Sequence, residues 1–152
     1  MQIDDTDRRI LRQMMAAPNL PVAELALLAG VTQATCWRRV EKLREGGVLK
    51  GEEMELDWRA LGYAVEVSLR FSLDKTYPRA FDEFIEAARK VPEVIEIQTF
   101  LGRTDLRLNI IAVDMADYQR IYRERILTLP HITDTGALML VSTIKNSSEL
   151  PL

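Results

Sequence analysis

The 152-residue chain holds one cysteine and one histidine. Cys36 alone cannot close an internal disulfide, and one His with one Cys cannot build a His/Cys metal centre. His131 follows Leu129-Pro130 in a loop-like context. No nucleophile elbow, P-loop or dinucleotide fingerprint is present, so enzyme readings fare poorly. Long apolar runs are missing as well. Stretches such as Leu25 to Val31 fall far short of the ~18 residues needed to span a bilayer. The N-terminus, M-Q-I-D-D-T-D-R-R, has no apolar h-region, so no signal peptide is expected. Together these absences predict a cytoplasmic protein with no enzyme activity, no cofactor and no membrane partner.

Excess positive charge is also lacking, since the net charge is −3. Its distribution matters more than its total. Residues 1–50 carry eight Lys/Arg against six Asp/Glu, whereas 51–152 carry twelve against seventeen. Residues 31–50 alone carry five Lys/Arg against Glu41 and Glu45. A weakly basic head on an acidic body is compatible with specific DNA binding. It argues against tight non-specific coating by a monomer, because few phosphates would be neutralised.

What the chain does have is a helical pair from Val22 to Gly47, broken at Gly30. Leu25, Leu28 and Ala29, then Val31, Cys36, Val40 and Leu43, are spaced to bury one face of each helix. The opposite face of the second helix carries Gln33, Ala34, Trp37, Arg38 and Glu41, which suits reading base edges in a major groove. The alternative is a surface hairpin with a solvated charged face. An earlier helix runs from about Asp4 to Ala16, with Asp4 as N-cap, Asp7 near the positive helix end, and Ile10, Leu11, Met14 and Met15 as core stripe. Thr32 caps the third helix, which ends at Gly46-Gly47. Val48 to Gly51 reads as a strand entering a wing.

The period then changes. In the connector, Glu52 to Leu56 alternates like an exposed strand. Tyr63 to Leu73 alternates, with Val65, Val67, Leu69, Phe71 and Leu73 on one face. Tyr77 to Lys90 is expected as a helix, Val94 to Leu101 and Leu106 to Val113 as strands, Asp114 as the cap of a further helix, and Ile132 to Lys145 as a last strand. This β-α-β-β-α-β order is the ferredoxin-like plan, an α+β fold with one sheet face left bare. The expected domains are a winged helix-turn-helix at 1–51, a connector at 52–62 and a ferredoxin-like domain at 63–152.

On the DNA side, the candidate contacts are Thr32, Gln33, Thr35, Trp37 and Arg38, with Arg39 and Lys42 as phosphate clamps. Gln pairs bidentately with adenine and Arg with guanine, and Thr reaches a base or a phosphate. Trp37 packs on the DNA or shields the wing. Arg44 reads as a solvated charge, and Cys36 as an inert core thiol.

A winged head followed by this body resembles the Lrp/AsnC family of transcription regulators. The resemblance is carried by D-D-T-D-R-R-I-L, A-E-L-A-L-L-A-G-V-T, T-C-W-R-R-V-E-K-L and G-V-L-K-G. In the body it is carried by Gly102 with Asp105, D-M-A-D-Y at 114–118 and L-P-H-I-T-D-T at 129–135. The ending S-S-E-L-P-L resembles members that regulate amino-acid catabolism or detoxification. The resemblance implies a dimer assembling further, often to an octamer, and an ACT-like domain binding an amino-acid effector between subunits. It also implies that Glu52–Leu56 pairs with its counterpart in the dimer. The family's Gly-Asp-aromatic-Asp effector loop is matched here only at Gly102 and Asp105. The candidate effector residues are Leu101, Gly102, Arg103, Thr104 and Asp105, with Thr133 and Thr135 near the start of the last strand. Asp105 is the candidate partner of an ammonium, and Arg103 and Arg107 are candidate partners of a carboxylate. A plain strand-to-strand turn is the alternative for this loop, and an effector-free architectural DNA organiser is the alternative for the whole protein.

Overall fold

A computed structural model describes residues 2–147 and 150–152. Ser148 and Glu149 of the S-S-E-L-P-L ending, and Met1 of the expected head, lie outside the described residues. The chain forms two compact units, one running to Met54 and taking in Ile144–Leu152, the other covering Glu55–Thr143.

The first unit is three helices: α1 (Asp5–Ala16), α2 (Val22–Ala29) and α3 (Gln33–Glu45). At the start of α1, Asp4 accepts the Asp7 N–H at 2.9 Å and Asp7 accepts the Asp4 N–H at 3.1 Å. This reciprocal box satisfies donors that the first helical turn leaves orphaned. Helix α2 begins at Pro21 without a side-chain cap and ends at Gly30, whose φ of 67° puts it in the left-handed region that glycine enters without penalty. Thr32 caps α3 as expected, accepting the Thr35 N–H at 3.2 Å. The core gathers Ile10, Leu25, Ala26, Ala29, Cys36 and Val40. Ala26 takes the place expected for Leu28, which is 55% exposed. Helix α2 is apolar at every position but Glu24, so it has no polar stripe to set its phase. Cys36 is fully buried, and burial pushes its thiol pKa up, as an inert core thiol requires.

The second unit is a four-stranded antiparallel sheet: β1 (Val65–Leu73), β2 (Val94–Thr99), β3 (Leu106–Ala112) and β4 (Ile132–Met139), in the order β2-β3-β1-β4. Two helices, α4 (Ala80–Ala88) and α5 (Met115–Ile121), complete β-α-β-β-α-β, and a π-helical turn over Tyr122–Ile126 extends α5. Val67, Leu69 and Phe71 of β1 and Leu106, Leu108 and Ile110 of β3 pack with Phe84, Ile121 and Ile126. The Phe71 and Phe84 rings lie 5.1 Å apart. The alternating residues Ser68, Arg70, Arg107 and Asn109 point to the other face, which no helix of this unit covers.

Two expected strands are not formed. Val48–Gly51 and Glu52–Leu56 run without a ladder, because neither has a neighbouring strand to pair with in the single chain. The last strand stops at Met139 rather than Lys145, and α4 starts at Ala80, after Pro78, rather than at Tyr77.

Candidate functional site

The outer surface of α3 is prepared by its inner one. Cys36, Val40 and Leu43 are buried, which turns Gln33, Ala34, Trp37, Arg38 and Lys42 outward. Trp37 is 59% exposed, an unusual position for so large an apolar ring. Among the described residues, neither Arg38 nor Lys42 has an ion-pair or side-chain hydrogen-bond partner. Arg44 is engaged by Glu41 one turn back. Thr32 and Thr35 are occupied by the cap, the Thr32 hydroxyl donating to that of Thr35 at 2.9 Å.

Arg39 departs from its expected role. Its guanidinium lies 2.5 Å from Asp4 and 3.2 Å from the fully buried Asp7, which ties α3 to the start of α1. Asp4 chiefly raises the Arg39 pKa. The Asp7 N–H, then Arg39, lower that of Asp4. A guanidinium held by two carboxylates is poorly placed to clamp a phosphate as well. The D-x-x-D spacing signals the capping box, but no local pattern signals a partner 32 residues away.

In the second unit the segment Phe100–Asp105 joins β2 to β3. The Phe100 N–H donates to the Asp105 carbonyl at 2.9 Å, and Gly102 has a φ of 143°. Asp105 is 3% exposed. Its carboxylate accepts the Leu73 N–H at 2.9 Å and meets the Lys75 ammonium at 2.9 Å. Burial alone would raise its pKa, but these two partners outweigh burial and the net shift is downward. The expected ammonium acceptor is therefore already engaged within the fold.

Two cavities flank this loop. One, of about 390 Å³, is lined by Ser68, Arg70, Arg103, Arg107, Phe100 and Leu138, with Leu101, Gly102 and Thr104 closing it. The other, of about 460 Å³, has Lys75, Phe81, Thr99 and Asp105 against the same Phe100–Gly102 segment. Arg107 donates to Gln98, and its guanidinium carbon lies 5.7 Å from the centroid of the Phe100 ring. Ser72 bridges two strands' ends to the loop: its hydroxyl donates to the Arg103 carbonyl at 3.0 Å, and its carbonyl accepts from the Thr133 hydroxyl at 3.0 Å.

Family models match both units. An AsnC-type helix-turn-helix domain matches residues 3–44, and an Lrp/AsnC ligand binding domain matches residues 66–150. The chain belongs to the Lrp/AsnC family. A proline dehydrogenase transcriptional activator of Rhodobacter capsulatus is 31% identical over 97% of this chain and 97% of its own. A glutamate uptake regulatory protein of Zymomonas mobilis is 28% identical over 99% of this chain and 92% of its own. The crystal structure of an AsnC family transcriptional regulator from Agrobacterium tumefaciens matches with a TM-score of 0.85 at 30% identity, covering 97% of this chain and 96% of that one.

This Lrp/AsnC chain is thus a DNA-binding transcription regulator, not an enzyme. Its helix-turn-helix is α2 with α3. Leu101, Gly102, Arg103, Thr104 and Asp105 come together around the two cavities, whereas Thr133 and Thr135 line neither. Sequence reasoning missed Ser68, Arg70, Phe100 and Leu138 as neighbours of the loop. The only signal for Ser68 and Arg70 was the outward set of β1, and none pointed to Phe100 or Leu138. Strand register brings the strand residues together: Ser68 lies opposite Leu138, and Arg70 opposite Arg107.

Proposed function

We propose that this chain is a ligand-responsive transcription regulator of amino-acid metabolism. Gln33, Trp37 and Arg38 read base edges, and Lys42 holds a phosphate. The observation that carries this reading is the outer face of α3: amide, indole and two unpaired cations on a helix whose inner face is locked in a core. Thr32 and Thr35 act by fixing the N-terminus of α3. In this reading residues 1–51 form the DNA-binding domain, 52–62 a connector, and 63–152, except the closing Ile144–Leu152 that belongs to the first compact unit, an effector-binding and oligomerisation domain acting in a dimer or larger assembly. The effector, a small amino-acid-like molecule, binds beside Leu101–Asp105 and acts by differential affinity for two states of the assembly. No helix of the described residues is long and apolar enough to cross a membrane, and a cytoplasmic site of action fits a DNA-binding regulator.

Fluorescence anisotropy with the DNA upstream of the chain's own gene, set against a scrambled duplex across several salt concentrations, tests this. The regulator reading expects selective binding that an amino-acid mixture alters. Equal, steeply salt-dependent binding to both duplexes would replace it with an effector-free organiser. The engaged Asp105 carboxylate favours that second reading, since the matched loop residue already meets a cation, Lys75, and a backbone donor, the Leu73 N–H.

A further inference from the structure

We propose that the cavity beside Arg70 selects a small ligand with two carboxylates, an acidic amino acid or its 2-oxo counterpart, over neutral amino acids. This rests on the reading that an effector binds beside the Phe100–Asp105 segment, and it names that effector's charge.

Three arginines line the cavity, Arg70, Arg103 and Arg107, and no carboxylate does. Arg70 and Arg107 stand directly opposite each other in the β1–β3 register. Like charges in that position destabilise a sheet unless something lies between or beside them. Arg107 is partly relieved by Gln98 and by Glu96 at 3.8 Å. Among the described residues, the Arg70 and Arg103 guanidinium groups have no partner. Two polar groups at the cavity are also unsatisfied although buried, the Arg107 Nε and the Ser68 Oγ. Buried polar groups are nearly always hydrogen-bonded, so an exception asks for an acceptor. An anion supplies acceptors for both, and planar carboxylates match guanidinium forks in bidentate pairs.

The volume of about 390 Å³ suits a small metabolite. The charge pattern then decides between ligands. A neutral amino acid brings one carboxylate and one ammonium. The loop's one carboxylate, Asp105, lines the other cavity and is spent on Lys75 and the Leu73 N–H. The ammonium would therefore sit among arginines without a counter-charge. A second carboxylate instead satisfies a second arginine, while Phe100 and Leu138 cover the short carbon linker.

Calorimetric titration of the full chain with L-glutamate, 2-oxoglutarate, L-glutamine and L-methionine tests this. At least one dicarboxylate should bind tenfold or more tightly than glutamine, the neutral isostere of glutamate, and the better of the two identifies the source. Arg70→Gln should weaken that binding on the order of tenfold and Arg70→Lys should restore part of it, with circular dichroism and light scattering unchanged. Glutamine or methionine binding as tightly as the acids would overturn the charge assignment and leave the effector site standing. If none of the four bound and no amino acid altered DNA binding, the effector reading itself would fall. Loss of the oligomer in Arg70→Gln, with ligand binding intact, would overturn the proposal by assigning the arginine to a contact between copies.

Discussion

Replacing Asp105 separates a structural carboxylate from a ligand-binding one. The Asp105→Ala chain leaves the Leu73 N–H without an acceptor, and Leu73 is 4% exposed. An orphaned buried donor costs about 1–3 kcal/mol. The Lys75 contact adds little, because that side chain is 65% exposed. With a urea m-value of about 2 kcal/mol/M, the unfolding midpoint should fall by roughly 0.5–1.5 M. Asp105→Asn keeps a carbonyl oxygen for the Leu73 N–H, so its loss should be the smaller one. The pH dependence is fixed in sign. A carboxyl with a lower pKa in the folded than in the unfolded chain stabilises above its unfolded value, and that contribution is lost as pH falls through the folded value. The advantage of the native chain over Asp105→Asn should be complete at neutral pH, begin to decline near the unfolded carboxyl value of about 4, and disappear only as pH falls through the lower folded value. Urea titrations of the three proteins at several pH values read all of this. A midpoint unchanged in Asp105→Ala, together with abolished effector response, would refute the structural assignment and return Asp105 to the ligand.

Other substitutions probe the remaining assignments. Arg38→Ala should cost about 1–3 kcal/mol in DNA affinity and relax preference at one base pair, read by anisotropy on a set of single-base operator variants; a uniform loss would make Arg38 a phosphate contact. Lys42→Ala should lower the slope of log affinity against log salt by about one. Arg39→Ala should leave that slope unchanged and instead lower the urea midpoint, because its guanidinium serves Asp4 and Asp7. Phe84→Ala should cost about 3–5 kcal/mol in unfolding free energy, since the ring is fully buried against Phe71.

Local rules carried much of the fold. Period-two alternation placed Val67, Leu69, Phe71 and Leu73 on the buried face of β1, and a hydroxyl before a polar-apolar run marked Thr32 as the cap of α3. These are decided by a residue and its neighbours within one turn or one strand. Helix α2 was misphased because Ala26 and Leu28 are equally apolar, so that packing against α1 and α3, not pattern, chooses between them. The tail of β4 was overextended because the apolar run continues through Val141, while pairing with β1 ends with the Leu140 N–H on the Glu66 carbonyl. The candidate site was legible as a segment but not as a cavity. Gly102 and Asp105 are visible in the string; the facing of Arg70 and Arg107 is a property of register, and the Lys75 partner of Asp105 arrives from another connection. Arg39 was misread for the same reason, its counter-charges lying on α1.

Ser72 also has a mechanical meaning. Its side chain holds the loop carbonyl of Arg103, and its main chain holds the hydroxyl of Thr133. The hairpin tip and the entry of an edge strand are thereby riveted to one residue of the central strand. If the tip lifts, the Ser72–Arg103 bond must break or β1 must follow, and β4 is pulled with it. Whatever seats itself at the tip is therefore coupled, through the one residue Ser72, to the entry of β4.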